Sequence, residues 1–160
     1  MHETKIVQLA SKFDGAFIEP VHRQSEKRLV FNCFMHVLNL IDRVQPNVVK
    51  QNENTLRFFV DSVFFRKLYD AGHLSEISME QLEPKDFVVY YNGQVKTHVG
   101  LNVAPNRVES KWGIGPLFRH GLWDVPKSYG DTLRYFKPPE QAKVDAFLRQ
   151  TLPMVELSEV

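Results

Sequence analysis

The single cysteine, Cys33, stands in Phe-Asn-Cys-Phe-Met-His at the head of an apolar run with helical spacing, and His98 follows 65 residues later in Thr-His-Val-Gly-Leu. A thiol at a helix start with an imidazole on a later strand is how a thiolate nucleophile is assembled. The helix N-terminus carries partial positive charge that favours the thiolate, and the imidazole holds the proton. The competing role for the same residue is packing, because free cysteine is among the most commonly buried residue types. A catalytic histidine also needs a third polar group to orient it, and the segment Arg107 to Trp112 offers Glu109, Ser110 and Lys111. Alternation along a strand puts Ser110 on one face and Glu109 with Lys111 on the other. Glu109 is chemically the stronger orienter, since a carboxylate stabilises an imidazolium. A one-residue slip in the turn Ala104-Pro105-Asn106 exchanges the two sets, so both remain open at this point.

The elements that must position these groups can be read from periodicity. Apolar residues recur at helical spacing from Val30 to Val44, with Asn32 where an N-cap belongs, so Cys33 is expected to be the first residue inside that helix. A second helix is expected over Leu56 to Asp70, capped by Asn52 or Asn54 and stopped by Gly72. Shorter helical segments are expected at Lys5 to Ser11 and at Ser78 to Leu82. The period then changes. Phe87 to Tyr91, Val95 to Val103 and Arg107 to Trp112 read as three antiparallel strands joined by Asn92-Gly93 and Ala104-Pro105-Asn106. Glycine and proline dominate Gly113 to Pro126, Thr132 to Lys137 reads as a last strand, and Glu140 to Gln150 as a C-terminal helix. Helices first and an antiparallel meander later predict an α+β fold.

Three segments carry a resemblance to a known family. Phe-Asn-Cys-Phe at 31 to 34, Leu-Glu-Pro-Lys-Asp-Phe-Val-Val-Tyr at 82 to 90 and Thr-His-Val-Gly-Leu at 97 to 101 resemble the NlpC-type branch of papain-like cysteine hydrolases. Val-Glu-Ser-Lys-Trp-Gly, with the later Arg-His and Tyr-Gly-Asp, is also similar to an uncharacterised bacterial group associated with that fold. The resemblance spans about residues 30 to 137 and, with a length that fits one domain, implies a single NlpC-like domain over residues 1–160, with N-terminal helices and the cysteine helix packed on a β-meander. It implies Cys33 as nucleophile, His98 as general base, and a third polar residue about twelve positions after the histidine. That position is Ser110, where the family usually has histidine, asparagine or glutamine. Lys85 replaces the usual glycine of the Pro-Gly-Asp turn. The implied activity is an amidase or peptidase acting on an amide bond, as in cell-wall-type peptides, or acyl transfer on the same scaffold. The reading from a different class is a non-catalytic binding or regulatory domain on that fold.

Other residues have roles to weigh. His36 shares the helix face of Cys33 and could tune it or simply be buried. His120 sits in the glycine-rich segment, expected to overhang the groove, and Trp112 and Lys111 border it; loops of that kind often carry substrate contacts or anchor themselves by hydrogen bonds. Tyr129-Gly130-Asp131 reads as a structural turn, and the aromatic run from Leu56 to Tyr69 as core rather than a docking face. No His-x-x-x-His or Cys-x-x-Cys spacing occurs, so no metal and no other cofactor is expected. Twenty basic against nineteen acidic side chains give a formal charge of +1, which supplies no field to gather nucleic acid or an anionic membrane. No segment has signal-peptide or membrane-span character, so the expected location is cytoplasmic as synthesised, export by a specialised route remaining compatible. The expected partner is a peptide or other amide substrate.

Overall fold

Asn92-Gly93 makes the tight turn that its sequence predicts, with Gly93 at φ 59°, and an antiparallel sheet grows outward from the hairpin it closes. The computed structural model describes residues 6, 8, 15–21, 31–41, 43, 49–52, 55–58, 60–153 and 157. The hairpin strands are β5 (Phe87–Asn92) and β6 (Val95–Ala104). A turn with Asn106 at φ 53° leads to β7 (Arg107–Lys111), and β8 (Leu117–His120) pairs beyond it. Strand β1 (Ile18–Val21) covers the edge of β8, while β9 (Thr132–Lys137) and β4 (Ser75–Ile77) extend the other side of β5. The resulting order is β1-β8-β7-β6-β5-β9-β4, and β2 (Val49–Asn52) with β3 (Thr55–Phe58) forms a separate two-stranded ladder.

This architecture corrects the expected papain-like α+β fold. The protein is mostly a seven-stranded antiparallel sheet, and the α-helices bounded among the described residues are few: α1 (Cys33–Val37), α2 (Ser62–Asp70) and α3 (Gln141–Thr151). The expected helix over Leu56 to Asp70 fails at its first half, because Thr55–Phe58 is strand β3. The helix starts only at Ser62, where the Asp61 side chain accepts from the N–H groups of Val63 and Phe64. Short apolar runs satisfy both periods, and here strand pairing decides the outcome. The helix expected from Val30 to Val44 is one turn and a half, because Asn39 adopts φ 54°. That left-handed residue lets Leu40 N–H reach Met35 C=O and Asn39 N–H reach His36 C=O, a Schellman ending. The helix expected at Lys5 to Ser11 lies largely outside the described residues.

Both faces of the sheet are covered, which is why Phe87 to Tyr91 is apolar without alternation. One face packs Phe87, Val89, Val99 and Phe136 under Phe34, Phe65, Leu68, Val144 and Leu148 from the three helices. The other gathers Val88, Tyr90, Val108, Leu122 and Tyr135. The aromatic run of α2 belongs to the first core, with Phe65 buried and its ring 5.7 Å from Phe34 and 6.3 Å from Phe136. Among the described residues no helix is long and apolar enough to cross a membrane.

Candidate functional site

The site begins with Asn32. Its side-chain oxygen accepts from Met35 N–H at 2.9 Å, capping α1, while its amide donates to Val60 C=O at 2.8 Å. One residue thus starts the helix and ties it to the approach of α2, which fixes Cys33 as the first helical residue. The β6–β7 ladder is paired at Leu101 and Glu109. Nearer the start of β6, the Val99 N–H hydrogen-bonds the Cys33 sulfur instead.

His98 reaches the same place from β6. Its strand carries a bulge: the register passes from Tyr90 opposite His98 to Tyr91 opposite Lys96, leaving Thr97 as the extra residue. The Thr97 hydroxyl lies against the carbonyls of Tyr90 and Tyr129. That contact holds a short 3-10 turn, Lys127–Tyr129, against the strand, and the Tyr129 ring stacks on His98 with centroids 3.9 Å apart and planes within 13°. Cys33, Thr97, His98 and Tyr129 line one cavity of about 250 Å³, with Asn32, Asp61, Lys96 and Gly113 also on its walls.

The register settles which residue orients the histidine. Leu101 faces Glu109 and Asn102 faces Val108, so Ser110 shares the face of Gly100 and His98. Ser110 Oγ is 2.8 Å from His98 Nε2. Glu109 points to the helix side, between His36 Nε2 at 3.5 Å and the Arg119 guanidinium at 3.3 Å. Glu109 is therefore not the orienter, and His36 lies beside it. Gly100 is required beside this contact, because a Cβ there would stand 2.9 Å from Ser110 Cβ and collide with Val108.

Of the three residues expected to touch substrate, His120 and Lys111 lie inward and Trp112 is partly exposed. His120 is completely buried on β8, Lys111 is 1% exposed and donates to Gly115 C=O at 2.6 Å, and the Trp112 indole N–H donates to Ser110 Oγ at 3.2 Å. The segment read as a glycine-rich overhang hides a strand. His120 Nε2 lies 2.7 Å from Ser110 Oγ and its Nδ1 lies 2.7 Å from Gly121 O, so His98, Ser110 and His120 form one buried polar row. Tyr129, Thr97, Lys96 and Asp61 were missed as cavity residues. The bulge that presents Thr97 has no signal in residue type, whereas Gly130 after Tyr129 signals a turn but not the ring that the turn delivers.

The electrostatics follow from burial. Desolvation pushes the Cys33 thiol up to about 11, against the opposing pull of backbone N–H groups of Val99, Phe34 and Cys33 and the charge of Lys111. Burial thus opposes the thiolate that the helix start favours. Burial also holds His98 well below the ordinary histidine value, aided by His120 and His36, and it lowers His120 despite the Gly121 carbonyl. At neutral pH the site holds a thiol and neutral imidazoles. Among the described residues no group of three or more His, Cys, Asp or Glu side chains is placed to hold a metal ion.

Acid sensitivity is the first consequence. Well above pH 6.5, the ordinary histidine value, His98 and His120 are neutral both folded and unfolded, so neither gives a pH slope. Below it the unfolded chain takes up protons that the folded chain refuses, and stability falls as pH falls, by at most about 1.4 kcal/mol per pH unit for each histidine. The urea midpoint is expected to decline between pH 7 and pH 5, before most carboxylates titrate. A flat midpoint over that range contradicts two buried neutral histidines.

Comparison with known proteins gives one match. A family model described as "Domain of unknown function (DUF7689)" matches residues 22–137, a span that includes Cys33, His98, Ser110, His120 and Tyr129. No curated protein matches the chain, and no solved structure does.

Proposed function

We propose that this chain, which belongs to the DUF7689 family, is a cysteine-dependent acyl hydrolase acting on an amide or ester, with Cys33 as nucleophile and His98 as general base. The observation that carries this reading is the shared cavity: the one thiol of the chain and the ring of His98 line the same walls, while Ser110 engages the Nε2 side of that ring. The NlpC-type resemblance of the three segments around Cys33, Asp86 and His98 supports the same chemistry, although the fold itself is a different one.

The mechanism starts from a neutral pair. As Cys33 Sγ attacks the acyl carbon, its proton passes to His98 Nδ1, so charge appears only as the carbon–sulfur bond forms. The backbone N–H groups of Val99, Cys33 and Phe34 around the sulfur favour that charge. The imidazolium then gives the proton to the leaving nitrogen or oxygen, and a thioester remains on Cys33. Water attacks the thioester, His98 takes a proton from it, and the acid departs as the thiol is restored. An amine in place of water makes the same protein an acyltransferase.

The burial of Cys33, 6% exposed, favours a second reading in which the thiol is core and the cavity only binds. Acyl-enzyme trapping separates the two. With activated esters and amides followed by acid quench and intact mass, the wild type is expected to carry one acyl group on Cys33. Cys33→Ala should carry none, and His98→Ala should acylate about a hundredfold more slowly or worse, the usual value of a positioned base. Failure of every such donor to acylate the folded wild type leaves the binding domain.

A further inference from the structure

The row His98–Ser110–His120 has only one possible direction of proton donation, and the direction originates at His120. Its Nδ1 lies 2.7 Å from the Gly121 carbonyl, which has no proton to give, so Nδ1 carries the hydrogen. The neutral ring then leaves Nε2 as an acceptor, 2.7 Å from Ser110 Oγ. The single hydroxyl proton of Ser110 is committed there. The indole N–H of Trp112, which can only donate, takes one serine lone pair at 3.2 Å, and His98 Nε2 at 2.8 Å takes the other. With no proton left on the serine to offer, His98 must be the donor.

We propose that His120 is a positioning residue that fixes His98 as its Nε2–H tautomer through the Ser110 hydroxyl, leaving Nδ1 as the base. The inference rests on the reading of His98 as base, but the tautomer itself exists whether or not the protein turns anything over. Sequence separation hides the arrangement, because His120 stands on β8, two strands from His98, and touches neither the cavity nor the thiol. All three members are at most 1% exposed, so bulk water does not compete for the serine lone pairs. Without an acceptor at 120 the serine proton is free to turn toward His98 Nε2. That places the imidazole proton on Nδ1 and disables the base.

The test is a long-range 1H–15N correlation spectrum of the whole chain labelled in histidine nitrogen at neutral pH, with the thioester assay run beside it. Wild-type His98 is expected as the Nε2–H tautomer. His120→Gln supplies a side-chain oxygen to Ser110 and should retain that tautomer. His120→Leu should move His98 toward Nδ1–H and slow acylation of Cys33 about tenfold or more. A wild-type His98 protonated at Nδ1 overturns the proposal, as does a folded His120→Leu protein whose His98 keeps the Nε2–H form. If the leucine variant does not fold, the wild-type spectrum and His120→Gln decide, a shift to Nδ1–H in the glutamine variant counting against it. Correct tautomers with no acylation of Cys33 in any form would leave the relay standing and remove the hydrolase.

Discussion

Gly130→Ala is expected to be the most damaging single methyl group in the chain, costing about 3 to 5 kcal/mol of stability when backbone strain and overpacking are combined. Gly130 sits at φ 102°, ψ −172°, a region that side chains rarely enter. A Cβ there would run into the Tyr91 carbonyl oxygen and stand 2.7 Å from the Asn92 backbone nitrogen. Neither neighbour can yield, because both belong to the paired strand β5, and Asp131 N–H donates to that same carbonyl at 3.2 Å. Relief can come only by lifting the Lys127–Tyr129 turn, which withdraws Tyr129 from the cavity and its ring from His98. The check is urea unfolding of the two proteins. A loss under about 1 kcal/mol would mean that the turn is not seated against β5 as described. Gly72 gives the contrast: its φ is 76°, but a Cβ there meets nothing within 4 Å, so alanine strains the backbone without a collision.

The second large effect concerns the thiol. Iodoacetamide is expected to alkylate Cys33 of the folded protein at pH 7.5 at least tenfold more slowly than it alkylates the same residue in the urea-unfolded chain. Raising the thiol from 9.0 to about 11 cuts the thiolate fraction about a hundredfold. The more basic sulfur regains about tenfold through intrinsic nucleophilicity, and burial withholds access besides. The rate should keep climbing with pH toward about 11 rather than level off near neutrality. A plateau below pH 8 would show a resting thiolate, and with it the activated ion pair that the sequence suggests. The expected slow thiol does not preclude catalysis, because a bound acyl donor and a neutral His98 permit the proton to leave as the bond forms. Rapid acylation by a bound donor beside sluggish alkylation would be the signature of such a neutral pair.

Much of the sheet is legible because its strands are bounded by residues with fixed backbone demands. Gly93 and Asn106 take positive φ where the sequence puts turns, and β5, β6, β7 and β9 fall between such breaks. Strand β8 is illegible for the converse reason: Gly115-Pro116 and Gly121 enclose a segment of four residues, and only its ladder to β7 makes it a strand. Without β8 in view His120 reads as part of an overhang, whereas it is interior. Among the site residues Cys33 and His98 could be picked out by type and surroundings. The choice between Ser110 and Glu109 could not, since it depends on a register that one residue in the Ala104 to Asn106 turn would reverse. The overestimate of helix has a similar origin in Thr55–Phe58, whose apolar positions fit either period until a partner strand is present.

The stack of Tyr129 on His98 has a kinetic meaning. With one ring face covered at 3.9 Å, the Tyr90 ring 5.5 Å away at 49°, and Nε2 tethered to Ser110, the imidazole has no room to pivot about its Cβ–Cγ bond. A base that swings can collect a proton at the sulfur and deliver it elsewhere. On the proposed reading His98 would receive and return the proton at a single point, and the leaving atom would have to be brought to that point by the substrate's own shape. Discrimination among acyl donors would then lie in the trajectory of the departing group rather than in affinity for the ground state, with the cost of aligning the ring met once, when the chain folds.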